Sequence, residues 1–373
     1  MYRSSDRHPS IRIPAYQPSI TSAEMANASD AVLSQWISAY GQYLDDFQSG
    51  FADLTNNKYC VLTTTGTAAA HLAMVAAGVG PGDEVLIPAL TFIATANAVA
   101  YTGATPVVCD VEFDTWNMTP ETAEPFITKK TRAVFLNHLY GNPCDIEAWE
   151  AFCTDRGLLL FEDACQGLGG RFASGRVIGT GGLGASFSFF GNKPITTGQG
   201  GAFVTDQEHW YDRTRLHARQ YHSGLYRHEG CVPGTNYAMT NVAAAIGLAQ
   251  LERFDEMKER RDTLYKLYQQ AMTEYGFKTQ MLYSPYTKHS HWVFAVRVAA
   301  RSVKTTDIAN RMIDQGIATR PSFHPIHQQA CYLDKRPRPV AETLADQILV
   351  LPGGPGMSLS QAEQVIDAFL SSV

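Results

Sequence analysis

Ser188-Phe189-Phe190-Gly191-Asn192-Lys193-Pro194-Ile195-Thr196-Thr197-Gly198-Gln199-Gly200-Gly201 is the stretch on which the fold turns. A short apolar strand over 186–190 delivers Lys193 onto a glycine-rich loop. A lysine packs poorly there but is well placed to form a Schiff base with an aldehyde cofactor. Upstream, the strand Leu158-Leu159-Leu160-Phe161 runs directly into Glu162-Asp163-Ala164-Cys165-Gln166. Pyridoxal phosphate needs both groups, a carboxylate that keeps its ring nitrogen protonated and an amine that reaches its aldehyde. Asp163 and Lys193 suit these roles together, the carboxylate favouring the charged ring by proximity. Taken singly, each reads more simply as a strand-end turn former and a solvated loop lysine.

The phosphate of such a cofactor needs donors. Thr63-Thr64-Thr65-Gly66-Thr67-Ala68-Ala69-Ala70-His71-Leu72-Ala73-Met74 follows a strand over 59–62 and opens an alanine-rich helix. Unpaired amides and a positive dipole end at a helix start attract an anion. That nominates the backbones of Gly66, Thr67 and Ala68, with the hydroxyl of Ser188 beside them. Thr67 also suits the plainer role of N-cap. Phe92, just past the strand over 84–87, is placed to cover the ring, although core packing explains a lone aromatic nearly as well.

These residues belong to a resemblance that runs almost from end to end. Ile13-Pro14-Ala15-Tyr16-Gln17-Pro18-Ser19, Gln35-Trp36-Ile37-Ser38, Gly66-Thr67-Ala68-Ala69, Gly82-Asp83-Glu84-Val85 and His138-Leu139-Tyr140-Gly141 are followed by Glu162-Asp163, Phe187 to Lys193, Asn236 to Asn241 and Thr319-Arg320-Pro321. In order and spacing the chain resembles the DegT/DnrJ/EryC1/StrS sugar aminotransferases. Within that group it looks most like the perosamine- and viosamine-forming members.

The resemblance implies an α/β protein of the aspartate aminotransferase fold (fold type I), with a large mixed-sheet domain, a small C-terminal α+β domain and pyridoxal 5'-phosphate as cofactor. It implies transfer of an amino group from L-glutamate to a nucleotide-linked keto sugar, usually a 4-keto-6-deoxyhexose, for surface polysaccharide or glycoside biosynthesis. Lys193 then carries the cofactor and Asp163 holds its ring nitrogen. Gln166 bonds the ring hydroxyl, Phe92 stacks on the ring, and Ser188, Gly66 and Thr67 hold the phosphate. Asn236 matches an asparagine that reaches the phosphate from a neighbouring subunit, which implies a homodimer with shared active sites. Arg320, His324 and His327 fall in a segment that the family places near the site mouth. A guanidinium suits a phosphate or a donor carboxylate, and the histidines also read as satisfied structural residues. His138 and Tyr140, at a strand end, are further candidates for substrate contact. Three departures stand out. Ala238 replaces an arginine, Gln199 a glutamate, and Cys165 an alanine of the family pattern.

Composition agrees. A chain of 373 residues exceeds the size at which one core stops growing, so we expect two domains, 1–250 with an N-terminal arm and the cofactor site, and 251–373. A net charge of −6 without a long basic run argues against a nucleic-acid partner. Seven scattered cysteines fit reduced thiols better than a disulfide framework. No stretch is long and apolar enough to span a membrane and the start has no signal-peptide core, so the expected location is cytoplasmic.

Strands alternate with helices from about 59 to 205, one long helix is expected over 241–268, and a strand at 291–296 and a helix near 305–315 follow. The first twenty or so residues read as an extended arm. Gly179-Thr180-Gly181-Gly182-Leu183-Gly184 satisfies the dinucleotide fingerprint, but the next residues read as strand, not the helix that such a motif requires. His217, His222, His228 and Cys231 match no zinc module, and no metal is expected. A sugar dehydratase of the same fold would carry histidine in place of Lys193. A non-catalytic relative would not need Lys193, Asp163, Gln166 and Ser188 together.

Overall fold

The computed structural model describes residues 11–221, 233–298 and 303–373. Its centre is a seven-stranded sheet made of β1 (Tyr59–Thr63), β2 (Glu84–Pro88), β3 (Thr105–Cys109), β4 (Thr131–Asn137), β5 (Leu159–Asp163), β6 (Ala185–Ser188) and β7 (Gly201–Thr205). The order across the sheet is β1-β7-β6-β5-β4-β2-β3. β2 to β6 pair in parallel, and β7 is antiparallel to both β6 and β1. β7 alone therefore runs against the others. The carboxyl ends of the remaining strands meet along one edge, where α/β sheets place their ligands.

The local reasons are visible in the residues. β4 is buried from Ala133 to Asn137 on both faces, which explains its unbroken apolar run. The helix Gly66–Ala76 is apolar nearly all round and buried along almost its whole length, as befits a helix enclosed on every side. The helix Ile146–Arg156 ends at Gly157, whose φ of 64° is the left-handed cap geometry that glycine adopts at no steric cost. Helices intervene only as far as β5, because the connections on either side of β6 are glycine-rich loops.

A second sheet of β8 (Phe294–Arg297), β9 (Arg320–Pro321) and β10 (Ile348–Leu351) is antiparallel, in the order β8-β10-β9. The helices Phe254–Glu274, Thr305–Asp314 and Leu359–Ser372 bury Tyr268, Met312 and Phe369 in a core with Phe294 and Leu349. The N-terminal segment runs extended along this part of the molecule, with bridges from Ile13 to Ile317 and from Tyr16 to Gly353.

Two elements differ from the sequence expectation. The helix over 241–268 is instead a pair, Asn241–Glu252 and Phe254–Glu274, broken at Arg253. The guanidinium of Arg253 is anchored to Glu24 Oε1 at 2.9 Å and Ser19 Oγ at 3.0 Å, which draws this residue out of helical geometry. The expected strand at 291–296 is the shorter Phe294–Arg297. The glycine loop 179–184 does lead into strand β6. Its amides at Gly179 and Gly181 donate to the buried carboxylate of Glu162, so the anion that it cradles belongs to the protein.

No helix among the described residues is long and apolar enough to cross a membrane, and no described group of His, Cys, Asp or Glu could hold a metal ion. His217 is buried, while His222, His228 and Cys231 lie outside the described residues. The six described cysteines are free thiols.

Candidate active site

Asp163 ends β5, and the neighbouring strand β6 ends at Ser188. Asp163 is 5% exposed and held on both oxygens. Oδ2 accepts from Thr95 Oγ1 at 2.6 Å and Oδ1 from the Cys165 amide at 3.2 Å. The Thr95 hydroxyl donates its one proton to the carboxylate, so Thr91 Oγ1, 3.2 Å behind it, is the donor in the next link. The carboxylate is thus fixed in orientation before any ligand arrives.

Lys193 lies on the loop after β6, with its Nζ 3.8 Å from the ring centroid of Trp292. Burial lowers the amine below its ordinary value, and the nearby Asp163 carboxylate opposes that fall. A lysine so placed yields a neutral nucleophile more readily than a solvated one. Two further bonds fix the loop. Tyr16 Oη donates to Lys193 O at 3.2 Å, and Trp292 Nε1 donates to Asn192 O at 2.6 Å.

The phosphate side is built from the other strand ends. A Cβ on Gly66 would stand 2.7 Å from Ser188 Cβ and 3.0 Å from Cys165 Sγ. Only glycine therefore lets the start of the helix Gly66–Ala76 approach β5 and β6 this closely. Its N-cap is Thr65, not Thr67, and Thr65 Oγ1 accepts from the Ala68 amide at 3.0 Å. That corrects the expectation for Ala68, whose amide is committed to the cap. Gly66 and Thr67 keep the amides without an intrahelical acceptor, and Ser188 stands beside them, itself accepting from Phe190 N at 3.3 Å.

Gln166 is buried. Its Oε1 accepts from Tyr140 N at 2.7 Å and its Nε2 donates to Asn137 Oδ1 at 3.2 Å, leaving one amide hydrogen for a ligand oxygen. Phe92 is 55% exposed, with its ring centroid 5.9 Å from that of Phe323. Phe323 in turn stacks on Tyr140 at 5.4 Å and 17°. Tyr140 is buried at a positive φ of 56°, and its hydroxyl lies 3.2 Å from Ser322 Oγ. Arg320 and His324 are exposed in the same segment.

Of the two other histidines, His138 is a correction. His138 is fully buried, with its Nδ1 accepting from Cys144 N at 3.1 Å and its Nε2 donating to Glu162 Oε2 at 2.8 Å. Both ring nitrogens are committed within the protein, so His138 is structural. His327 is 2% exposed and donates through Nε2 to Glu342 Oε1 at 2.9 Å on the helix Pro339–Gln347, while its Nδ1 has no hydrogen-bond partner among the described residues. Asn236 is exposed on a loop beside the phosphate-side helix start, where Tyr237 O accepts from Thr64 N at 2.8 Å. Ala238 bridges Thr63, and Gln199 is exposed.

Thr95, Trp292, Tyr16 and Phe323 were not singled out as site residues by sequence reasoning. Thr95 acts on a carboxylate 68 residues away, and nothing local to Thr-Phe-Ile-Ala-Thr signals that contact.

A buried, doubly held carboxylate, a desolvated lysine against an aromatic face, and a glycine-cleared helix start meet at the carboxyl ends of one mixed sheet. They fit the ring nitrogen, aldehyde and phosphate of pyridoxal phosphate, and the architecture is that of a fold type I pyridoxal-phosphate transferase. Residues 18–370 match the DegT/DnrJ/EryC1/StrS aminotransferase family, and the chain belongs to it. GDP-perosamine synthase of Escherichia coli O157:H7 is 37% identical over 363 residues, covering 95% of this chain and 97% of that protein. The synthase of the same name from Caulobacter vibrioides is 37% identical over 361 residues, covering 96% and 97%. Among solved structures, DesV of S. venezuelae in complex with a ketimine intermediate is 32% identical, with a TM-score of 0.88 over 96% of this chain and 97% of that one.

Proposed function

We propose that the protein transfers the amino group of L-glutamate to the 4-keto carbon of a nucleotide-linked 4-keto-6-deoxyhexose, with a GDP-linked sugar of the perosamine type as substrate. The observation that carries this reading is the convergence of Lys193, Asp163 and the Gly66 helix start at one sheet edge, in a chain whose curated relatives include GDP-perosamine synthases.

Pyridoxal phosphate, when bound, supplies an electron sink for the pair released at the carbon that bears nitrogen. Lys193 Nζ would hold the cofactor through its aldehyde, and as a free amine it would move a proton at the reacting carbon. Desolvation keeps that amine ready for both tasks. Asp163 holds positive charge at the ring nitrogen, and Thr95 with the Cys165 amide keeps the carboxylate aimed. Gln166 orients the ring from its hydroxyl side, and Phe92 covers one face. The amides of Gly66 and Thr67 and the hydroxyl of Ser188 bind the phosphate. Asn236 completes that phosphate site in a second copy of the chain, which makes the working unit a homodimer with shared sites. Arg320 and Tyr140, with the exposed His324, lie on the side from which the sugar nucleotide enters.

The division into 1–250 and 251–373 is part of this proposal, supported by the two separate sheets. So is a cytoplasmic location, supported by free thiols. Borohydride reduction of the holoenzyme followed by peptide mapping tests the assignment. The reduced cofactor should be found on Lys193, and a label on any other lysine would overturn it.

A further inference from the structure

Arg261, on the helix Phe254–Glu274, is 2% exposed. Its Nε donates to Met257 O at 3.4 Å, and among the described residues neither terminal nitrogen has a hydrogen-bond partner. The Phe254 ring lies 5.7 Å from the guanidinium carbon, a cation–π contact that saturates none of these N–H groups. A guanidinium stays charged in proteins, and an isolated buried charge is strongly unfavourable.

No described group supplies the counter-charge in full. The adjacent carboxylate, Asp262, is committed to Lys258 Nζ at 2.6 Å and His291 Nδ1 at 2.7 Å. The nearby phenol of Tyr16 is neutral, because burial pushes it up to about 12, and its hydroxyl donates to Lys193 O. A cavity of about 20 Å³ adjoins Arg261, walled by Tyr265, Tyr268, His291, Trp292 and Gly353 among others. That volume suits one water molecule or one halide. Tyr265 and His291 also line an open groove on the same helix, which gives the cavity a way to solvent.

We propose that this cavity is a binding site for a small monovalent inorganic anion, with chloride as its representative, held by the terminal nitrogens of Arg261. Water would satisfy hydrogen bonds there and leave the charge unbalanced. An anion does both. The site is distinct from the cofactor pocket but shares a wall with it, since Trp292 also carries the amine of Lys193.

Crystals of the holoenzyme grown without halide and soaked in sodium bromide test the assignment. An anomalous peak within about 3.5 Å of the Arg261 terminal nitrogens is expected, given ordinary charge-assisted contact distances for a large anion. An ordered water in that position without anomalous signal would overturn it. In solution, Tm should rise saturably by roughly 2 °C or more when chloride replaces isethionate at equal ionic strength. Arg261→Met, which keeps side-chain length and removes the charge, should abolish that difference. An equal response in the variant would count against the site, and the bromide experiment decides the matter if the variant does not fold.

Discussion

Replacing Thr95 by valine removes one hydroxyl and keeps the branched shape. In the wild-type protein that hydroxyl donates to Asp163 Oδ2 at 2.6 Å in a fully buried setting. A hydrogen bond to a charged group contributes about 1.5–3 kcal/mol, and the distance is at the short, strong end for an oxygen pair. The substitution also deprives Thr91 Oγ1 of the acceptor 3.2 Å away. Asp163 would keep only the Cys165 amide, so the ionised carboxylate loses one of its two donors. At about 1.4 kcal/mol per tenfold change, turnover or cofactor retention should fall about 10- to 100-fold. Thr95→Ser, which restores the donor without the methyl group, should recover most of the loss. Cofactor dissociation followed by absorbance, alongside kcat, reads both quantities. If Thr95→Val keeps both within about twofold of wild type in a folded protein, a difference below about 0.5 kcal/mol, the idea that Thr95 aims Asp163 fails.

Gly66→Ala places a Cβ 2.7 Å from Ser188 Cβ, and neither strand end can move far, so cofactor affinity and Tm should both drop, as dialysis and thermal melts would register. His71 is held down to about 4 from an ordinary 6.5, by burial first and the nearby His217 second. The unfolded chain therefore takes up this proton first as pH falls. Stability should decline between pH 6.5 and 4 and no further from this source, and His71→Asn should flatten that part of the profile in denaturant titrations. Mixed dimers of Lys193→Ala with an Asn236 variant bearing a bulky side chain should regain activity. In such hybrids one site carries both defects and the other neither, whereas a self-contained site would give no recovery despite subunit exchange.

The parts of this protein that could be read from its sequence are those whose meaning is local. Lys193 on its glycine loop, Asp163 at a strand end and the Thr-Gly-Thr helix start each announce themselves within a few residues, and the sheet that gathers them follows from the apolar runs of β1 to β7. What escaped depends on distant partners. Arg253 breaks a periodic helix because Glu24 and Ser19, more than two hundred residues earlier, bind its guanidinium. Strand-end position made His138 look like a substrate contact, but Glu162 and the Cys144 amide claim both of its nitrogens. Thr67 and Thr65 are equally good N-caps by composition. Backbone geometry selects Thr65, with φ −156° and its side chain on Ala68, and so decides which amides remain for a phosphate.

The central claim is amino transfer to a nucleotide-linked keto sugar. The most direct test charges the holoenzyme with L-glutamate, removes free glutamate by gel filtration and offers GDP-, UDP- and dTDP-linked 4-keto-6-deoxyhexoses in a single turnover. Mass spectrometry should find one equivalent of the 4-amino sugar per active site with the GDP-linked substrate. Failure of every keto sugar to gain nitrogen, in protein whose cofactor is verified on Lys193, would contradict the account.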